Sequence, residues 1–356
     1  MMNAQRIIGK LQSNGGVTHG AVFQCAKMIL LVVLFCLVSQ PALAAGVKNC
    51  SKQAKAAFKA CKSEVKDDFF IAVGNCYNLP TKEETKECIQ DAKEEQQEAK
   101  EECEDQLDAR MDLCDALGEE PYNPDIGSMT FVDPADIGGA VAANPWFPLV
   151  SGNMWTYKTR ENGVVTETIT VEVLAGETIE IEGVTCAVVR DIVYEGDVID
   201  PDNIIEDTYD WYAQQDDGTV WYFGEFSLSK EDCEPEELCE ELYTEDGSWK
   251  SGYEGGKAGI IMFGDPSVEV GTVFRQEIAL GDAEDAGEVI SFNEESVTVP
   301  LGTYNTDVVK TLDFSPLEPD DTENKYYAPG VGVIKEEALA DGVLTEEFVE
   351  LVSKNF

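Results

Sequence analysis

The chain has 356 residues, 25 Lys+Arg against 70 Asp+Glu, a net charge of −45 and 43% apolar residues. That is enough apolar material for a core and enough length for about two domains. The acidity excludes nucleic acid and anionic membrane surfaces as partners, because both would repel it. It is compatible with solubility in an outside medium, with divalent cations or with cationic partners.

Residues 1–44 read as an export signal. Arg6, Lys10 and Lys27 form a basic region with no acidic residue before residue 45, and Met28 to Val38 is a run of eleven apolar residues. Ala42-Leu43-Ala44 supplies small residues at the positions a signal peptidase reads, which places the cut after Ala44. The run is shorter than the roughly 20 residues a membrane helix needs. Cys36 lies inside it, so no lipid-accepting cysteine follows it at the right place. Cleavage removes three basic and no acidic residues, taking the net charge from −45 to about −48, and it removes His19, the only histidine. A His-dependent triad, imidazole zinc ligation and a histidine pH switch are then excluded from the mature chain. The expected location is the medium, the periplasm or the cell surface.

Residues 45–117 are rich in Lys, Glu, Ala and Gln and read as two long helices. Their six cysteines, Cys50, Cys61, Cys76, Cys88, Cys103 and Cys114, are spaced 11, 15, 12, 15 and 11 residues apart, a palindrome. In an antiparallel hairpin, positions equidistant from the turn lie opposite each other. Steps of 11 and 15 residues are about 16.5 and 22.5 Å, close to whole numbers of turns. Of the pairings six cysteines allow, this symmetry selects Cys50–Cys114, Cys61–Cys103 and Cys76–Cys88. Asn78-Leu79-Pro80 ends the first helix, and Thr81 with Glu84 forms a capping box for the second. The first helix carries lysines and the second is mainly acidic, which favours their association weakly. No Cys-x-x-Cys spacing occurs, so the hairpin reads as an oxidised spacer or docking element in place of a metal or redox module.

Residues 118–145 read as a linker rich in Gly, Pro, Asp and Ala. From Trp146 to residue 356 the period becomes two, as in Thr168–Val173 and Thr178–Glu182, which is the pattern of half-buried antiparallel strands. Asp217-Gly218 marks a hairpin turn. Two stretches, about 150–225 and 269–337, resemble each other. Gly183–Arg190 corresponds to Gly302–Lys310, Trp211-Tyr212-Ala213 to Tyr326-Tyr327-Ala328, and Gly152 with Trp155 to Gly271 with Phe274. The expected fold is mainly β with an N-terminal all-α part. The helical hairpin precedes a duplicated antiparallel β domain built as a curved sheet, sandwich or open barrel, with an acidic, glycine-rich insertion at 226–268.

Several runs in this region carry a resemblance: Asn144-Pro145-Trp146-Phe147-Pro148-Leu149, Trp155-Thr156-Tyr157, Asp210–Gln214, Val220–Glu225, Gly247-Ser248-Trp249, Arg275-Gln276-Glu277, Ala283-Glu284-Asp285 and Tyr326–Gly332. Residues 144–352 resemble a widespread family of secreted bacterial proteins of uncharacterised function. The hairpin lies outside the match. The resemblance implies export and the extent of a domain, and implies no chemistry.

Four kinds of candidate site remain. Asp282, Glu284 and Asp285 sit in a glycine-flanked loop and could offer oxygen ligands to calcium. Asp197, Asp200 and Asp202 form a second acidic loop, and Asp320, Asp321 and Glu323 a third. None has EF-hand spacing, and solvated turns are the plainer reading. Trp211, Tyr212, Trp221 and Tyr222 flank one hairpin and could form an exposed row that stacks on a ligand, although aromatic strands more often pack a core. Arg275 and Glu277 share a strand face and could pair. Cys233 and Cys239 could close a small loop, which leaves Cys186 as a lone thiol in an apolar strand.

No nucleophile elbow or phosphate loop occurs. The leading expectation is therefore an exported, non-enzymatic binding protein. Its β domain would be the recognition surface and its hairpin the spacer or docking element, with an extracellular or cell-envelope partner. The alternatives are a polysaccharide hydrolase using paired carboxylates across a cleft, and a calcium-binding structural surface protein.

Overall fold

The computed structural model describes residues 48–230, 245, 247–294 and 296–356. The export signal at residues 1–44 and the Cys233–Cys239 pairing lie outside the described residues.

The hairpin forms as its cysteines imply. Helix α1 spans Asn49–Cys76 and α2 spans Lys82–Leu117. Between them Thr81 accepts from the Glu84 backbone N–H, while Glu84 accepts from the Thr81 backbone N–H at 3.1 Å. Three nested disulfides join Cys50–Cys114, Cys61–Cys103 and Cys76–Cys88, with Cα separations of 5.6, 6.0 and 5.6 Å. Apart from these sulfurs the buried residues facing across the pair are few and mostly small: Ala54, Ala57, Val65, Ala92 and Leu113. Such a thin interface needs its cross-links. The charge complementarity between the helices adds little, since Lys62 and Glu104 approach only to 3.8 Å and both are exposed.

The β domain begins with five long strands, β1 (Met154–Glu161), β2 (Val164–Ile181), β3 (Val184–Glu195), β4 (Ile204–Gln214) and β5 (Val220–Ser229). Short strands follow: β6 (Trp249–Lys250), β7 (Lys257–Met262), β8 (Val273–Arg275) and β9 (Glu277–Ile278). Then come β10 (Ala286–Phe292), β11 (Val297–Val299), β12 (Gly302–Tyr304), β13 (Val309–Ser315), β14 (Glu318–Ala328), β15 (Gly332–Ala340) and β16 (Val343–Lys354). The main sheet runs β8-β10-β13-β14-β15-β16-β1-β2-β3-β4-β5-β7-β9, antiparallel throughout, with β6 beside β5; β11 and β12 pair separately. Its two ends, β8 and β9, are parts of one segment parted only by Gln276, so the sheet returns on itself as a nearly closed barrel. Closure removes the exposed strand edges that invite aggregation.

β1 to β5 form one up-and-down run and β8, β10, β13, β14 and β15 another. β16, beyond both of them, joins the runs by pairing with β15 on one side and β1 on the other. The expected insertion is not separate from the sheet. Residues 226–229 complete β5, and β7 pairs with both β5 and β9.

Strand alternation puts one face of each strand inside the barrel. Trp155, Tyr157, Ile169, Val173, Val189, Tyr212, Tyr222, Val309, Tyr327 and Leu351 form one continuous apolar core. Farther along the same inward faces the residues turn polar: Asp191, Thr208, Asp210, Glu225, Ser227, Thr311, Asp313, Ser315, Lys325 and Glu336 are all buried. Polar inward faces are why the period-two pattern weakens along β13 and β14.

Residues 118–145 are docked, not free. Ile126 joins an apolar cluster with Ile181, Val184, Cys186, Ala213, Trp221 and Phe223, with Phe131 packed against it, its ring 5.6 Å from that of Phe223. Asn144 is 1% exposed and fully bonded. Its backbone N–H donates to Gln214 Oε1 at 2.8 Å and its amide to the carbonyls of Gly218 and Phe263. Its Oδ1 accepts from the N–H groups of Trp146 and Phe147 at 2.8 and 3.0 Å. This turn lays Phe147 and Leu149 against the apolar end of the barrel.

Candidate functional site: the polar half of the barrel interior

β13, β14 and β15 supply the centre of the polar region. On β13, Thr311 and Asp313 point inward two residues apart, and the Thr311 hydroxyl donates to Asp313 Oδ1 at 2.6 Å. Register places Lys325 of β14 opposite both Thr311 of β13 and Glu336 of β15. Lys325 Nζ lies 3.1 Å from Glu323 Oε1 and 3.4 Å from Asp313 Oδ2. Burial opposes its charge, but Glu323, Glu336 and Asp313 together hold it well above the usual lysine range. Glu336 moves the other way for a carboxyl: burial pushes it up to about 8, with Lys325 opposing and Glu323 and Asp313 reinforcing.

A second group lies across the barrel on β4, β5 and β9. The Tyr222 hydroxyl is 2.6 Å from Asp210 Oδ1 and 2.8 Å from Glu225 Oε2. A phenol has one proton, so it donates to one of these two carboxyl groups at a time. Burial holds Glu277 well above the carboxylate range, and Asp285 and Glu225 add to it. Asp285 itself is pushed up to about 6 by burial, although Ser315 and Lys325 oppose the shift. Asp191, buried on β3, rises to about 7 through burial, with Glu206 and Asp210 reinforcing. Gln276 links the two groups, its amide donating to Asp313 Oδ2 at 2.8 Å. The interior therefore gathers buried carboxyls, among them Glu336, Glu277, Asp191 and Asp285 with pKa values raised by burial, around the buried ammonium group of Lys325.

Beneath Phe147, Pro148 and Leu149 lies a cavity of about 50 Å3, walled mainly by apolar side chains. Glu336 is its one carboxyl among the described residues.

The residues singled out in the sequence fall elsewhere. Asp282, Glu284 and Asp285 do not converge. Asp282 is exposed, Asp285 turns inward to Ser315, and both Glu284 oxygens are taken by Arg110 at 2.8 Å. Among the described residues no group of three His, Cys, Asp or Glu is placed to hold a metal ion. Asp200 caps a single helical turn by accepting from the Asp202 N–H at 3.1 Å, and Asp197 pairs with Lys158. Asp320, Asp321 and Glu323 belong to β14 and not to a loop.

The aromatic row is not a surface. Tyr212, Trp221 and Tyr222 are buried and Trp211 is half-buried, because β4 and β5 are covered on both faces, by the barrel core inside and residues 126–131 outside. Tyr212 and Tyr222 stack with centroids 4.6 Å apart. Arg275 and Glu277 form no pair. The guanidinium lies 5.9 Å from the Tyr122 ring, while Glu277 faces Asp285 and Glu225. Cys186 is a buried free thiol, and burial raises its pKa far above the ordinary range, so it stays protonated and unreactive. Lys325 and Glu336 were missed. The signal was a charged residue at an inward position of a strand, which in so acidic a chain does not stand out.

Fold and site together define the class: a nearly closed antiparallel β barrel with a polar interior, carrying a hairpin cross-linked by three disulfides. Disulfides of this kind fit an oxidising, extracytoplasmic compartment. None of the helices among the described residues is long and apolar enough to cross a membrane. No family model matches the chain, and none of the curated proteins matches it. Among solved structures, a Bacteroides fragilis protein described as exported and as having a YmcC-like fold is similar at 14% identity and a TM-score of 0.35. A Parabacteroides distasonis protein described as a lipoprotein is similar at 14% identity and a TM-score of 0.33. Each comparison covers 60% of this chain and 100% of the other. Likeness at this level carries no argument about activity.

Proposed function

We propose that this is an exported, non-enzymatic binding protein of the cell envelope or its surroundings. The barrel domain performs recognition, and the hairpin acts as a rigid spacer or docking element. The observation that carries this reading is that, among the described residues, the cavity presents a single carboxyl, Glu336. Hydrolysis of a glycosidic bond uses two carboxyls facing one substrate space, about 5 to 9.5 Å apart. Here Asp313, for example, is turned toward partners within the barrel wall, Thr311, Gln276 and Lys325.

The hairpin suits a spacer because, among the described residues, its polar contacts to the barrel lie near one end. There Gln106 Nε2 donates to the Leu317 carbonyl at 3.0 Å and Arg110 pairs with Glu284. The other end carries Phe70, Ile71 and Tyr77 exposed to solvent, Tyr77 by 71%. The resemblance of residues 144–352 to secreted bacterial proteins and the signal-like residues 1–44 support export.

The test has two arms. The protein recovered from the producing cell's exterior fractions is expected to begin at Ala45. Incubated with insoluble envelope polymers and soluble polysaccharides, it is expected to be retained without releasing reducing ends. Release of new reducing ends that is lost in Glu336→Gln would replace this reading with the hydrolase.

A further inference from the structure

The cavity beneath Phe147–Leu149 has walls whose polar atoms are already spent, with one exception. The Trp155 indole N–H donates to the Val331 carbonyl at 2.6 Å, and the Tyr157 hydroxyl donates to the Val333 carbonyl at 3.1 Å. Leu149, Val173, Val189 and Val333 supply apolar wall. Glu336 is 3% exposed, and among the described residues no hydrogen bond reaches its carboxyl. A buried carboxyl without a hydrogen-bond partner is costly, and one polar wall group is too few to hold ordered water, which needs 2–4 partners.

We propose that this cavity binds a short primary alkylammonium group, its chain against the apolar walls and its ammonium head on the Glu336 carboxylate. This rests on the binding-protein reading above and names the ligand class of that same domain.

The sign of the head follows from the surrounding charges. Glu323 and Asp313 stand behind Glu336, and the one cation there among the described residues, Lys325, is already held by both at 3.1 and 3.4 Å. A carboxylate ligand would meet like charge. An alcohol or alkane would bring no charge to complement Glu336, which shares Lys325 with Glu323 and Asp313. The walls favour a chain over a bare ammonium ion, since only apolar contact is offered away from Glu336. The length is set by volume: about 50 Å3, where a single water takes roughly 10–15 Å3 by the same measure, admits about three to five non-hydrogen atoms. Retention of the cation also agrees with the raised proton affinity of Glu336, because a group that holds a proton in the empty site exchanges it for the charged ligand.

The probes are n-butylammonium chloride, n-butanol and sodium butyrate, added to the mature protein and followed by NMR shift changes at Val173, Val189 and Val333 and by thermal unfolding. The expected result is saturable binding of n-butylammonium with a rise in Tm, no binding of butyrate, and at least roughly tenfold weaker amine binding in Glu336→Gln with butanol unaffected. Val189→Phe, which fills the cavity, is expected to abolish all binding there. It decides the matter if Glu336→Gln does not fold. Amine binding unchanged by both substitutions, butyrate or butanol bound as well as the amine, or no amine binding at all would overturn the assignment. Retention on envelope polymer is measured on the same samples. If retention persists while the amine fails, the ligand class is wrong and the binding-protein reading stands; if both fail, that reading fails with it.

Discussion

Arg110 of α2 and Glu284 of the loop before β10 form a two-point ion pair, Nε to Oε2 and Nη2 to Oε1 both at 2.8 Å, with both side chains almost fully buried. They are 174 residues apart in the chain. Glu284 also accepts from the Gly281 N–H at 2.9 Å, which closes its own loop. The hairpin and the barrel are locked at this point. Removing one partner leaves a desolvated charge, so Arg110→Ala is expected to cost about 3–5 kcal/mol in urea unfolding. The double replacement Arg110→Met with Glu284→Leu is expected to recover most of that loss, because it removes both charges and keeps the volume. Equal losses in the single and double variants would show that packing, not charge burial, holds the joint.

The same pair bears on calcium. Glu284 cannot serve a cation and Arg110 at once, and Asp285 faces inward. Calorimetric titration with calcium, and melting with calcium against EDTA, are expected to show no heat and no shift. A calcium-dependent rise in Tm that Asp282→Asn abolishes would restore the calcium-binding alternative.

The three disulfides close nested rings, and this sets their relative contributions. Cys50–Cys114 has a separation of 64 residues and Cys76–Cys88 one of 12, but with Cys61–Cys103 intact the outer bond closes a ring of only about 22 residues. Chain entropy then gives about 3 kcal/mol for either the outer or the inner bond. Replacing each pair by alanine is expected to lower hairpin stability by amounts equal to within about 1 kcal/mol. A loss for Cys50–Cys114 much larger than for Cys76–Cys88 would show that the rings are not formed independently.

Stability is expected to fall as pH rises from about 5 to 8, opposite to most proteins. Glu336, Asp191 and Glu347 have folded pKa values raised to about 8, 7 and 7, and Asp285 to about 6, against ordinary carboxyl values near 4. Over that window the folded chain binds more protons than the unfolded one, so stability is fully present below the unfolded pKa and is lost as pH climbs through the folded values. Tm measured by calorimetry should drop by about 5 °C or more across it. Glu336→Gln should flatten the upper part of the profile. A Tm that rises steadily from pH 5 to 8 would contradict the protonated interior.

Gly224 sits at the bulge of β5 with a φ of +136°, and a Cβ there would lie 2.4 Å from the Trp249 carbonyl oxygen and 2.8 Å from Lys250 Cα. Both neighbours are backbone and cannot swing away. Gly224→Ala is expected to destabilise by about 2–3 kcal/mol in urea unfolding and to loosen β6 from β5. A change below about 0.5 kcal/mol would mean that the bulge relaxes freely.

The chain's own order of residues determined the hairpin completely, down to its cysteine pairing and the Thr81–Glu84 cap, because a helix turns distances along the sequence directly into heights in space. It determined the class of the second domain in the same way, since alternation specifies a strand with one covered face. What it could not say is which strand meets which. Closure through the β8–β9 segment, and the place of β16 between the two runs, depend on pairings between residues such as Trp155 and Lys354 that are far apart in sequence. The site followed those pairings. Lys325 and Glu336 become opposed across β14 and β15 inside a nearly closed wall, while Tyr212 and Tyr222 are buried in the barrel core with Phe147 packed over Tyr212. A charge or a ring has a preference for water or for partners, but which of them it meets is settled only when distant strands exclude the water.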